Sequence, residues 1–195
     1  MLSKLCDTIC NCLIQKEIIP TDQKGLYYYG LHQGILSITS VVTTLLISIL
    51  MGMFWQGILY YMAYIPIRSN AGGFHAKTPL RCYGCSVILV VLALLILKKM
   101  EISVLWCLLF TLIASLVIFI WAPVEDKNKP LTDAEYRCFR KRTRILLIGE
   151  ILLIAVCCLL KAEVFANCIM LSLLTLSVML LLGKAKNNML NKKVS

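Results

Sequence analysis

The sequence predicts an all-α polytopic membrane protein, with about six hydrophobic helical segments and an amphipathic helix at the N-terminus. Two observations carry that expectation. Of 195 residues, 59% are hydrophobic and the mean hydropathy is +0.82, more apolar material than a soluble domain of this size needs. The apolar residues also come in long runs, and the basic residues, 20 Lys and Arg against 10 Asp and Glu, gather in the gaps between them. That placement suits the inner face of a membrane. No basic–aromatic interleaving of the kind that stacks bases is present, so no nucleic-acid partner is expected.

The first stretch, MLSKLCDTICNCLIQKEIIP, mixes Lys, Asp and Glu into its apolar residues and has no clean apolar run of the signal-peptide type. Leu2, Leu5, Cys6, Ile9, Leu13 and Ile14 recur at roughly helical spacing, which predicts an amphipathic helix within residues 1–25, lying on the membrane or packed on the rest of the chain. Candidate spans follow at 34–51, 53–67, 84–98, 102–122, 145–160 and 164–183. The first two are separated only by Met51-Gly52-Met53. The segments 53–67 and 84–98 fall short of the roughly 20 residues a span needs, so they are expected to tilt, re-enter or lie near the surface.

Six spans with both termini inside leave only Lys98, Lys99 and Lys161 of the 20 basic residues outside. The break around Arg68–Ser86 is then cytoplasmic. So is the polar linker 123–144, where Thr132-Asp133-Ala134-Glu135 reads as a capped helix start followed by a basic surface, Arg137 to Arg144. That surface suits anchoring to anionic lipid or docking of an acidic peptide. The whole chain, 1–195, reads as one membrane-embedded domain. Glu150 stands out as a carboxylate in an apolar run, where charge is costly. Cys107, Cys157, Cys158 and Cys168 lie in apolar runs and read as small hydrophobes, while Cys6, Cys10 and Cys12 have no nearby His to complete a metal site.

The segment RSNAGGFHAKTPLRCYGCS, residues 68–86, carries the chemistry. It holds one of only two histidines, with Cys82 seven residues after His75. Three readings fit. Cys82 is a nucleophile and His75 the base that takes its proton; a free thiol titrates near 8.5, so a neighbouring imidazole raises the thiolate fraction. Gly72-Gly73 frees the backbone for close approach, and Pro79 argues for a loop that brings Cys82 to the N-terminus of the 84–98 helix, where the dipole favours a thiolate. Alternatively, Cys82-Tyr83-Gly84-Cys85 is a redox pair, or His75, Cys82 and Cys85 bind zinc without an evident fourth ligand. Arg68 either snorkels to the interface or holds a carboxylate. Asn70, Thr78 and Ser86 are near enough to serve as a third catalytic group.

Arg68, Gly73, His75 and Cys82 reproduce an R-x4-G-x-H-x6-C core, and Trp121-Ala122-Pro123 precedes a short basic stretch with Lys127 and Lys129 before Pro130. In these features, and in its small basic multi-span chain, the sequence resembles the accessory gene regulator B (AgrB) family over nearly its whole length. Asn128 interrupts the Lys run and Cys85 is an extra cysteine. The resemblance implies a membrane cysteine endopeptidase of bacterial quorum sensing in which Cys82 is the nucleophile and His75 the base, with Arg68, Gly73, Lys127 and Lys129 binding substrate or supporting the site. It implies cleavage near the C-terminal side of a small propeptide, a thioester intermediate, and closure of a thiolactone or lactone ring. It also implies a homodimer in the cell membrane, with no metal and no cofactor. Rival functions are a small transporter or scaffold, for which the polar break is only a connecting loop, and a C-x-x-C thiol oxidoreductase.

Overall fold

The computed structural model describes residues 2–74, 79–125 and 131–192. Among them the chain is all-helical, with helices α1 (Leu2–Gln15), α2 (Lys24–Leu50), α3 (Phe54–Ala71), α4 (Pro79–Lys99), α5 (Val104–Trp121), α6 (Asp133–Leu159) and α7 (Glu163–Lys192). The chain forms two compact units, Met1–Thr44 and Leu45–Ser195.

In the first unit, α1 buries Cys6 and Cys10 one turn apart and leaves Cys12 exposed, so the three cysteines do not converge. Leu5, counted above on the apolar face, is also exposed. A single turn of 3₁₀ helix, Thr21–Gln23, leads into α2, and Asp7 meets Lys24 in an exposed ion pair at 3.8 Å.

The second unit is an up-and-down bundle. Met51–Met53 reverses the chain between α2 and α3, with Gly52 at φ +68° and the Met53 N–H donating to the Ser48 carbonyl at 2.7 Å. Gly57 faces Ser48 so closely that a Cβ there would collide with its side chain. The break at Met51-Gly52-Met53 is therefore a tight reversal of direction. α3 and α4 run longer than the sequence suggested, 18 and 21 residues. The described part of α4 begins at Pro79, and proline is compatible with the first turn of a helix, where the N–H groups have no intrahelical partner. At 21 residues it is roughly 30 Å long.

α5 buries one stripe, Cys107, Thr111, Ala114 and Ile118, and exposes Leu105, Leu112, Leu116 and Ile120 on the other face. α7 differs. Met170, Leu173, Leu176 and Leu180 are buried, and so are Cys168, Ser172 and Ser177 on its other sides. A helix buried all round is a core helix, and α7 packs against α3, α4, α5 and α6. Its small residues permit close approach, and the hydroxyls of Ser172 and Thr175 donate to Ile169 and Leu171 of the same helix at 2.8 Å. Among the described residues, three helices are long and apolar enough to cross a membrane: Thr21–Leu50, Val104–Trp121 and Glu163–Met189.

α6 begins as its sequence indicated. Thr132 is the N-cap, its Oγ1 accepting from the Glu135 N–H at 3.3 Å, while the Glu135 carboxylate accepts from the Thr132 N–H at 2.9 Å. The basic run Arg137–Arg144 is thus helical, the first turns of α6.

Candidate active site

The alternation of α3 to α7 gathers the end of α3, the start of α4, the end of α5 and the last turns of α7 at one end of the bundle. Three backbone bonds join the end of α3 to the segment after α5 and to α7. The Gly73 N–H donates to the Val124 carbonyl at 3.3 Å, the Val124 N–H to Ala71 at 2.9 Å, and the Phe74 N–H to Met179 of α7 at 2.9 Å. Gly72 and Val124 form a single parallel bridge.

Each partner has a local cause. α5 stops at Trp121 because Ala122, preceding a proline, is held extended at ψ 142°. A cis Ala122–Pro123 bond follows. Val124 lies at the end of α3, bonded to Ala71 and Gly73. Gly72 and Gly73 have φ of +67° and +128°, a region L side chains rarely adopt. Neither has room for a Cβ: at Gly72 it would strike the Val124 carbonyl, and at Gly73 it would lie 2.8 Å from the Arg68 guanidinium. Gly183 completes the fit from α7, where a Cβ would lie 2.7 Å from the Gly73 carbonyl carbon and 2.8 Å from the Phe74 nitrogen.

Arg68 lies in the last turns of α3, and its Nη2 donates to the Phe74 carbonyl at 3.0 Å. Arg68 and Gly73 are thus brought together in one device. The guanidinium occupies the space a side chain at position 73 would take and holds the carbonyl just before His75. This contact supports the backbone around Gly73 and Phe74. Asn70 donates to the Pro66 carbonyl at 2.8 Å, a local helix-end bond.

His75, Thr78, Lys127 and Lys129 lie outside the described residues, as does the side chain of Cys82. The Cys82 backbone belongs to the first turn of α4 rather than to a loop, for the reason given for Pro79. The first turn of a helix presents unpaired N–H groups and the positive end of the dipole, which favour an anion. Cys85 follows one turn later, half-buried and not disulfide-bonded. Positive charge surrounds this end. Lys184 lies 3.0 Å above the Trp121 ring, and Lys186 is 5.8 Å from the Phe74 ring. Asn187 donates to the Glu125 carbonyl at 2.8 Å, fastening the segment after Val124 to α7.

Met179, Gly183 and Asn187 were not singled out by the sequence reading. The available signal was Gly183, a glycine at the end of a long apolar run just before a basic, Asn-rich stretch.

Fold and site together define an all-helical membrane protein in which residues 68–74, the Arg-Gly part of the motif, are fastened to a buried central helix. Residues 6–181 match the family model for accessory gene regulator B, and the chain belongs to that family. It is 28% identical over 141 residues to accessory gene regulator protein B of Staphylococcus aureus strain RF122, covering 72% of this chain and 73% of that protein. It is likewise 28% identical to a putative AgrB-like protein of Clostridium acetobutylicum, covering 73% and 68%, and 19% identical to accessory gene regulator protein B of Staphylococcus intermedius, covering 67% and 68%. No solved structure matches the chain. Membership places it in the processing of the accessory gene regulator's quorum-sensing peptide.

Proposed function

We propose that the protein is a membrane cysteine endopeptidase that cleaves a small quorum-sensing propeptide and closes it into a ring. The observation that carries this reading is the clamp on residues 68–74. A connecting loop has no need for two glycines without room for a Cβ, a third glycine facing them from α7, an arginine on a backbone carbonyl and a bond to the central helix; a catalytic segment does, because its groups must be held to within a fraction of an ångström.

In this mechanism His75 takes the proton of the Cys82 thiol, and the thiolate attacks a peptide carbonyl near the C-terminal side of the propeptide. The tetrahedral intermediate collapses as His75 protonates the leaving amine, which leaves a thioester on Cys82. A Cys or Ser side chain within the N-terminal fragment then attacks that thioester. A thiolactone or lactone forms, and the Cys82 sulfur leaves and regains its proton. Water must be kept out until ring closure, and a site walled by apolar helices does that. Lys127 and Lys129 attract an acidic part of the substrate. Six spans with both termini cytoplasmic put the site on the inner face of the cell membrane, and the protein acts as a homodimer. The charge distribution supports that orientation. Lys98, with its Nζ on the Met51 carbonyl at 2.9 Å, Lys99 and Lys161 share the end opposite the clamp, while Arg68, Lys184 and Lys186 lie at the clamp end.

The test is the pH dependence of Cys82 alkylation in membranes, resolved from the other cysteines by peptide mass spectrometry, with and without His75→Ala. The expected result is a low apparent pKa that rises when His75 is lost, together with loss of propeptide cleavage in Cys82→Ser and retention in Cys85→Ser. An ordinary pKa indifferent to His75, with cleavage surviving Cys82→Ser, would return the segment to a structural loop. Loss of activity in Cys85→Ser equal to that in Cys82→Ser would favour the thiol-exchange reading.

A further inference from the structure

The outer face of α6 changes character along its length. Arg137, Arg140, Lys141 and Arg144 line an open groove of about 270 Å³, and its lower wall is Ile145 and Ile148. Below these, Leu152, Val156 and Leu159 continue the same exposed face at helical spacing to the end of the helix. The inner face of α6, Thr143, Leu147 and Ile154, is buried in the bundle.

The four cations have no carboxylate partner among the described residues. Arg140 and Arg144 each keep an Nε that is shielded from solvent and without a hydrogen-bond acceptor. Arg144 is held in place, its guanidinium carbon 4.1 Å from the centre of the Phe119 ring of α5. The groove therefore offers four cations at one height, one of them held against an aromatic ring, and exposed hydrocarbon along the helix beyond them. Its volume is just under the roughly 300–1,000 Å³ of pockets that enclose a drug-sized ligand, but its shape is open and suits a headgroup with chains leaving along the helix.

We propose that this groove is a binding site for one anionic phospholipid, its phosphate on Arg140 and Arg144 and an acyl chain along Ile145, Ile148 and Leu152. The order of chemistry along α6, cations and then uninterrupted apolar surface, matches the order along a lipid. An acidic peptide would satisfy the cations and leave the isoleucines bare. The groove lies toward the end of the bundle that carries the clamp, so a bound lipid also brings negative charge to that end.

The experiment is native mass spectrometry of the full chain in detergent, titrated with phosphatidylglycerol or phosphatidylcholine of identical acyl chains. The wild type is expected to prefer phosphatidylglycerol, and Arg140→Gln/Arg144→Gln to lose roughly ten- to thirtyfold in its affinity, at about one decade or less per cation. Lys98→Gln/Lys99→Gln, which removes equal charge from the opposite end, should bind like wild type. Equal loss in both double variants would reduce the effect to net charge and overturn the proposal. Photoactivatable phosphatidylglycerol carrying its label on the acyl chain gives a second readout on the wild-type protein. Labelling concentrated on 145–152 is expected, and labelling spread evenly over α5 and α6 would overturn the proposal. A synthetic acidic peptide that displaces phosphatidylglycerol and binds Ile148→Glu as well as wild type would assign the groove to a peptide instead.

Discussion

The two ends of the bundle are built on different principles. At one end the helices are joined by tight reversals closed by neighbours in sequence. The Met53 N–H reaches Ser48, Met100 reaches Ile96, and Ala162 reaches Cys157. At the other end the bonds join distant parts of the chain: Gly73 to Val124, Val124 to Ala71, and Phe74 to Met179. At the first end the backbone bonds are local, and among the described residues only side chains cross between reversals, Lys98 Nζ to the Met51 carbonyl at 2.9 Å and Asn167 Nδ2 to the Ile102 carbonyl at 3.2 Å. The second exists only when α3, α5 and α7 are already packed. Backbone groups left free at membrane depth are costly unless protein satisfies them, and here α7 and the segment after Trp121 satisfy those of residues 72–74. Irregular backbone over-determined by its surroundings is where functional geometry is commonly stored.

The contrast can be broken at chosen points. The largest effect is expected from Gly183→Val, which drives a side chain into the Gly73–Phe74 backbone. Propeptide conversion, followed by mass spectrometry in membranes, should fall roughly a hundredfold or more, as displacement of about 1 Å from productive geometry can cost. Helical content by circular dichroism should stay unchanged. Retained activity would mean that α7 does not position the segment. Arg68→Lys keeps the charge but loses the fork that reaches the Phe74 carbonyl. It should lower turnover roughly tenfold, the worth of about one charged hydrogen bond, and change kcat more than KM. A selective rise in KM would assign Arg68 to substrate instead.

Smaller effects are expected away from the clamp, on stability rather than chemistry. Gly52→Ala places a Cβ at φ +68° in open space, which should cost about 1–2 kcal/mol. A lowered melting temperature with unchanged activity per folded molecule would show that the reversal end carries no catalytic geometry. Thr132→Ala removes the cap of α6 and should cost about 1 kcal/mol, read as a thermal shift in detergent. An equal loss from Thr132→Ser would indicate that the threonine methyl, not the hydroxyl, matters there.

Much of the fold was legible because it rests on periodicity and punctuation. Apolar runs marked the helices, Met51-Gly52-Met53 marked the reversal, and Thr132 with Glu135 marked the start of α6. Helix starts were read less well. The polar first turn of α4, Pro79 to Cys82, looks like loop by hydropathy, yet proline at the first position is compatible with a helix. Glu150 stands out in the sequence only as a carboxylate in an apolar run. It falls with Thr143, Leu147 and Ile154 on the inner stripe of α6, and its Oε2 is buried without a partner among the described residues. Spacing of three and four residues decides that placement, and hydropathy averaged over a window does not register it.

The sequence by itself determined the class of molecule, the helical segments, the asymmetry of charge between the gaps, and the four residues Arg68, Gly73, His75 and Cys82 as one motif. All of these are local in the chain or sums over it. The tertiary structure alone set the contacts that Arg68 and Gly73 make. It joined the Arg68–Phe74 part of that motif to the segment after Trp121 and to Gly183, made α7 the buried centre and left one face of α5 exposed although both read as spans, and put the cations of α6 directly above an apolar face. The physical reason is contact between residues far apart in the chain: whether a glycine has room for a Cβ, or a carbonyl has a donor, depends on which helix packs beside it.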